Sequence, residues 1–363
     1  MAHRARTSLA QRLSGGLVLG LLASGGCSLE FAAAPRALGL AAASEELLSE
    51  TPEGRAALLT ELERAFGSRE APLSPLGNAD SLRAAASLYA SKCLHCHGNE
   101  GGGDGPTSYT ARPYPRDFRL GIFKYDDLLG GARPEQRDLV EVIRDGIEGT
   151  GMPSLAQLSE AELAGLADYV RWLAMRGELE ARLAPIFADE ASPERHELDR
   201  ELAEVVASWR DAQRERPAVT ATPPATPERI ARGFELYHDG SRAACASCHG
   251  PAGRGPGPAA FGPSPTDPEG EETWLLVDAW GHAAIPTDLR HDHLRHGDAL
   301  VEIYARLACG IDGTPMAGLL SVRDAAGNPL FDDEELWSLV HYVRALREDR
   351  WSDLLDQLER ETP

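Results

Sequence analysis

Cys93-Leu94-His95-Cys96-His97 decides how the chain reads, because Cys245-Ala246-Ser247-Cys248-His249 repeats it. Both are C-x-x-C-H, and both run on into glycine. Two thiols three positions apart lie on one helical turn, where they can reach the two vinyl groups of one porphyrin and form thioethers. The histidine that follows then sits under the iron as its proximal ligand. A zinc site built from both pairs, or two thioredoxin-like redox pairs, would use the same cysteines. A redox pair needs no following histidine, and two copies each with a methionine downstream favour haem. The spacing therefore predicts two covalently attached haem c groups, with iron bound by His97 and His249. His95, inside the first motif, is expected at the surface.

Outward from the two motifs the chain repeats itself. Ala85-Ala86-Ser87-Leu88-Tyr89 precedes the first, and Gly233-Phe234-Glu235-Leu236-Tyr237 precedes the second. A Gly/Pro-rich loop follows each, Gly98 to Pro106 and Gly250 to Pro258. Next comes P-x-D-[F/L]-R-x4-[K/R]: Pro115 to Lys124, then Pro286 to Arg295. Its arginines, Arg119 and Arg290, are candidates to hold haem propionates, since guanidinium matches carboxylate geometry. Gly146-Ile147-Glu148-Gly149-Thr150-Gly151-Met152 then matches Gly310-Ile311-Asp312-Gly313-Thr314-Pro315-Met316. The chain has four methionines, and two stand at the same place in a Gly/Pro loop with no helical stripe to fill. Met152 and Met316 are thus the candidate sixth ligands, each through its thioether sulfur. An amphipathic helix closes each repeat. Ser159 with Glu162 forms a capping-box pattern, and Asp332 with Glu335 is close to one. Leu163, Leu166, Val170 and Leu173 share one face.

This order of helix, C-x-x-C-H, glycine loop, methionine turn and helix resembles the class I (cytochrome c-like) haem domain, twice over. The resemblance implies an all-α fold, with two tandem cytochrome c-like domains at 80–176 and 226–350. It implies that Cys93, Cys96, His97 and Met152 hold haem 1, and that Cys245, Cys248, His249 and Met316 hold haem 2. It also implies one exposed haem edge per domain for electron transfer. The second repeat is longer between His249 and Met316, an insert holding Trp274, Trp280, His282, His291, His293 and His296. One of those histidines could replace Met316. Cys309, which has no counterpart in the first repeat, could instead supply a thiolate, as in the His/Cys haem of dihaem thiosulfate dehydrogenases.

The remainder reads as support. Thr51-Pro52-Glu53 opens a helix through Phe66, within an extension at 27–79. In the linker, 177–225, Glu178 to Ala184 is expected as a short helix ended by Pro185. Ser192-Pro193-Glu194 opens another, with Leu198, Leu202, Val205 and Trp209 on one face, before a stiff Pro-rich stretch. Residues 351–363 form a tail. At the N-terminus, Arg4, Arg6 and Arg12 precede an apolar run, Leu13 to Ala23, too short to span a bilayer. Residues 1–26 thus read as an export signal of lipoprotein type, with Cys27 the candidate lipid anchor. The net charge of −21 disfavours nucleic acid and suits a basic protein partner. These observations predict a periplasmic electron carrier with protein redox partners and no catalytic residues. A dihaem peroxidase or thiosulfate dehydrogenase, or a fixed cytochrome subunit of a membrane complex, is the alternative.

Overall fold

The computed structural model describes residues 38–77, 79–125, 127–129, 132–211, 216–219, 221–264 and 267–361. Residues 1–26, expected as an export signal, and Cys27 lie outside them. All described residues belong to one compact unit, which holds two hydrophobic cores.

The first core is organised by α3 (Ala79–Lys92), α5 (Gln136–Asp145) and α6 (Glu160–Asp189). The short α4 (Leu94–His97) carries the first C-x-x-C-H. The expected capping box starts α6: Ser159 Oγ accepts from the Glu162 backbone N–H, and Glu162 accepts from the Ser159 N–H. Leu163, Leu166, Val170 and Leu173 are all buried, as the periodicity predicts. The second core repeats this plan with α8 (Pro227–His238), α9 (Cys245–His249), α10 (Leu300–Cys309) and α11 (Asp333–Ala345). The final helix, α12 (Ser352–Glu361), packs on its outside through Leu355.

The two halves solve one packing problem in opposite ways. Where the first and last helices of each repeat cross, the backbones must come close. In the first repeat Gly165 of α6 faces Ala85 of α3, and a Cβ on Gly165 would lie 3.4 Å from the Ala85 Cβ. In the second, the glycine has moved to the other helix. Gly233 of α8 lies under Ser338 of α11, and a Cβ there would stand 2.1 Å from the Ser338 carbonyl oxygen.

Two expectations are corrected. Glu178 to Ala184 is not a separate helix ended by Pro185: α6 runs through both, with Pro185 inside it. An interior proline forfeits a backbone bond and crowds the preceding turn, at about 3 kcal/mol. Leu179, Leu183 and Phe187 are 0 %, 0 % and 3 % exposed, each worth about 1.5–3 kcal/mol, so burial outweighs the break. The all-α expectation is met apart from one ribbon inside the second repeat's insert. There β1 (Phe261–Ser264) pairs antiparallel with β2 (Asp267–Trp274), placing Phe261 opposite Trp274.

The N-terminal extension and the linker brace the first domain. Both α1 (Ala42–Leu47) and α2 (Pro52–Phe66) lie on α6, with Leu58, Leu62 and Phe66 buried. The indole of Trp172 donates to the carbonyls of Phe66 (3.2 Å) and Leu73 (3.0 Å). On the other side α7 (Arg195–Arg210) docks through Leu198, Val205 and Trp209, and Trp209 Nε1 donates to Glu178 at 2.8 Å.

In the second domain Glu335 of α11 is the electrostatic tie. It accepts from Arg242 at 2.6 and 2.7 Å and from Arg232 of α8 at 2.6 Å. These bonds, Arg242 first, hold its carboxyl down to about 2, against an ordinary 4.5. A depressed carboxylate stabilises the fold above its unfolded pKa and loses that contribution as pH falls through the folded one. Glu335→Gln should therefore melt below wild type at neutral pH. The gap should narrow as pH falls from about 4.5 towards 2, which a melting series across that window measures.

Candidate haem sites

Each C-x-x-C-H helix is followed by a loop that folds back on it. The Gly103 and Gly105 N–H groups donate to the carbonyls of His97 and Cys96, and Gly255 and Gly257 do the same for His249 and Cys248. Each loop then delivers a carbonyl to its histidine. His97 Nδ1 lies 3.0 Å from the Arg116 oxygen, and His249 Nδ1 3.1 Å from the Thr287 oxygen. A carbonyl only accepts, so both rings carry their proton on Nδ1 and keep the Nε2 lone pair for a metal. Burial works the same way, pushing His97 down to about 4 and lowering His249, so both rings are neutral at physiological pH. Phe118 stacks on the His97 ring at 4.6 Å and fixes its plane.

The methionine loops are bonded alike. Gly146 and Gly310 end α5 and α10 with φ of 70° and 81°, a conformation that glycine adopts without strain. In the first loop the Ile147 N–H donates to the Met152 carbonyl, and Thr150 Oγ1 donates to the Ile147 carbonyl while accepting from the Met152 N–H. The second loop repeats every bond with Ile311, Thr314 and Met316. The shared letters G-I-x-G-T-x-M are thus the code for one loop conformation.

In the second domain Cys245, Cys248, His249 and Met316 line one crevice of about 340 Å³, with Leu289, Leu294, Ile303 and Leu319 among its apolar walls. Two thioether-forming thiols, a neutral imidazole and a thioether in one apolar slot fit a haem c. In the first domain Cys93, Leu94 and Met152 border the core together. The alternatives for the cysteines fare worse. Burial pushes the Cys93 and Cys245 thiols up to about 12, the reverse of an activated redox thiolate. Among the described residues no group of three or more His, Cys, Asp or Glu is arranged to hold a metal ion, so the two pairs form no zinc site.

Residues 80–170 match the family model described as cytochrome c oxidase, cbb3-type, subunit III, and residues 230–347 match that of cytochrome c. The chain is a dihaem c-type cytochrome. It carries two haem c groups, one per domain, and is an electron-transfer protein. Its fold is similar to that of a chain in the reducing HAO-like protein complex of Kuenenia stuttgartiensis. The identity is 24%, the match covers 73% of this chain and 96% of that one, and the TM-score is 0.52. No curated protein matches the cytochrome.

Several side chains singled out in the sequence have other work in the cytochrome. Arg119 spends its fork on Asp117, with Nε and Nη2 at 2.9 and 2.7 Å. Arg290 donates to the Ala252 carbonyl (2.6 Å) and to Glu359 (3.0 Å) and does not line the second crevice. The cations that do line it are Lys124, Arg242, Arg295 and Arg306. Lys124 and Arg295 are the closing [K/R] of the repeated motif, a shared signal five residues beyond the arginines chosen from sequence. His95 is exposed. Cys309 closes α10 against the second core, outside the crevice lining.

The insert histidines also stay out of that crevice; His291 pairs with Asp288 of its own loop at 2.9 Å, and the other three clasp the first domain. His293 meets Glu148 at 3.0 Å and His296 meets Asp127 at 3.7 Å, while His282 packs on Tyr114. Trp280 completes the clasp by donating to the Asp117 carbonyl at 3.1 Å.

Proposed function

We propose that this cytochrome is an exported carrier that passes electrons between periplasmic redox proteins of a respiratory chain. In this reading His97 with Met152, and His249 with Met316, would hold their irons. Haem c, when bound, supplies one-electron exchange at iron. The observation that carries the proposal is the identical hydrogen bonding of the two methionine loops. A loop pinned at both ends holds its sulfur in place, so each domain would offer its iron a methionine as well as a histidine. Export rests on the basic residues and apolar run before Cys27, and the lipid anchor on Cys27 itself. The first domain's likeness to an oxidase subunit keeps a fixed place in a membrane complex as the second reading.

Carbon monoxide tests the closed irons, because it binds ferrous haem only where a position is free. The reduced protein should keep its spectrum under carbon monoxide at neutral pH; an adduct at either haem would move the enzyme reading ahead. The surface charge makes a separate prediction. With a net charge of −21, electron exchange with a basic redox protein should be fast at low salt and slow progressively as ionic strength rises. Stopped-flow mixing measures this, and a salt-independent rate would argue against an acidic docking face.

A further inference from the structure

Between the two haem domains lies a cleft of about 600 Å³. One wall is the first domain's loop at 112–124, the other the second domain's insert at 278–295. In a chain of net charge −21 this cleft presents four cations, Arg112, Arg116, Lys124 and Arg295, against the carboxylates of Asp117 and Asp278. Both carboxylates are engaged. Asp117 takes the fork of Arg119, and Asp278 takes the Lys124 ammonium at 3.1 Å and the backbone N–H groups of Trp280 and His282.

Arg116 is held differently. Its guanidinium lies on the Trp280 ring, 3.6 Å from the centroid, and among the described residues it makes no ion pair or hydrogen bond. Arg295, on the facing wall, likewise makes none through its side chain among the described residues. A half-buried guanidinium that no carboxylate pairs keeps donors for an anion. Stacking on an indole occupies the faces of the planar group and leaves its edge N–H donors for a ligand.

We propose that this interdomain cleft is an oxyanion site, in which Arg116, with Lys124 and Arg295, binds a carboxylate or an inorganic oxyanion of phosphate size. The oxyanion has two sources. Lys124 and Arg295 also line the second crevice, so a haem propionate can reach them from there. Alternatively, a free anion enters from solution.

Equilibrium dialysis of the haem-loaded protein against inorganic phosphate, with chloride holding ionic strength constant, separates these sources. A free-anion site gives saturable binding of one phosphate per chain, weakened roughly tenfold or more in Arg116→Gln by the loss of a charge-assisted hydrogen bond. A propionate site gives no phosphate binding. There, Arg116→Gln makes a haem midpoint potential vary with pH through the weakly acid range, where wild type is flat, and Arg116→Lys restores the flat profile. Loss of a distant charge alone would shift the potential without adding a pH slope. Arg295→Gln, on a partly exposed wall, carries the same two readouts should Arg116→Gln fail to take up haem. No phosphate binding together with unchanged pH profiles in both variants overturns the proposal.

Discussion

Replacing Cys245 and Cys248 together by serine should leave the chain with one covalently held haem instead of two. The second crevice is apolar, and its cysteine, histidine and methionine side chains converge on it from α9 and the methionine loop. Without the thioethers, axial ligation alone would have to retain the haem, and the chain would lose it under denaturing conditions. Covalent haem, measured per denatured chain as its pyridine haemochrome, should fall by half, and the intact mass should drop by one haem. The first domain, with its own core and its own C-x-x-C-H, should keep its spectrum. The mirror variant, Cys93→Ser with Cys96→Ser, should lose the other haem, so the two spectra subtract to give each site alone. Two haems retained in either variant would refute the attachment sites.

The second large effect is a contrast between two glycines at equivalent crossings. Gly233→Ala would set a methyl group 2.1 Å from the Ser338 carbonyl oxygen and 2.6 Å from the Tyr342 Cβ. Neither atom is the end of a flexible side chain, so α8 would have to move off α11. Overpacking of this kind costs about 1–3 kcal/mol, and a backbone partner puts it at the upper end. For a domain of this size that lowers the melting temperature by on the order of 10 °C or more. Gly165→Ala meets the Ala85 Cβ at 3.4 Å, the edge of ordinary contact. The gain in helix propensity, up to about 1 kcal/mol, should leave it neutral or slightly stabilised. Melting of the two variants side by side measures the contrast. Equal losses would mean the two crossings are not packed as described.

These glycines also show what the sequence discloses. Alignment of Tyr89 with Tyr237 puts Ala85 opposite Gly233, and alignment of Tyr169 with Tyr342 puts Gly165 opposite Ser338. The exchange of one small residue between partner helices is visible only when both repeats are read as a packed pair. The haem motifs were legible because covalent attachment confines its chemistry to five consecutive residues. The methionine loops were legible because their hydrogen bonds close within six residues, so the letters themselves repeat. The course of α6 past Pro185 was not, since the burial that outweighs the proline comes from α2, distant in sequence, and from α7 folding back beside it. The partner of Arg290 was hidden for a related reason, whereas that of Arg119 was near at hand. Asp117 lies two residues from Arg119, but Glu359 lies in the last helix, 69 residues from Arg290. The insert histidines invited a ligand role by residue type alone, whereas Glu148, Asp127 and Tyr114, the partners of His293, His296 and His282, belong to the other domain.

The central claim is that both irons are closed by a methionine, and the oxidised absorption spectrum of the haem-loaded protein tests it most directly. The far-red sulfur-to-iron charge-transfer band, quantified per haem, should account for two methionine-ligated irons and lose half its intensity in Met152→Ala and in Met316→Ala alike. A band worth one haem or none would contradict the account and open an iron to substrate.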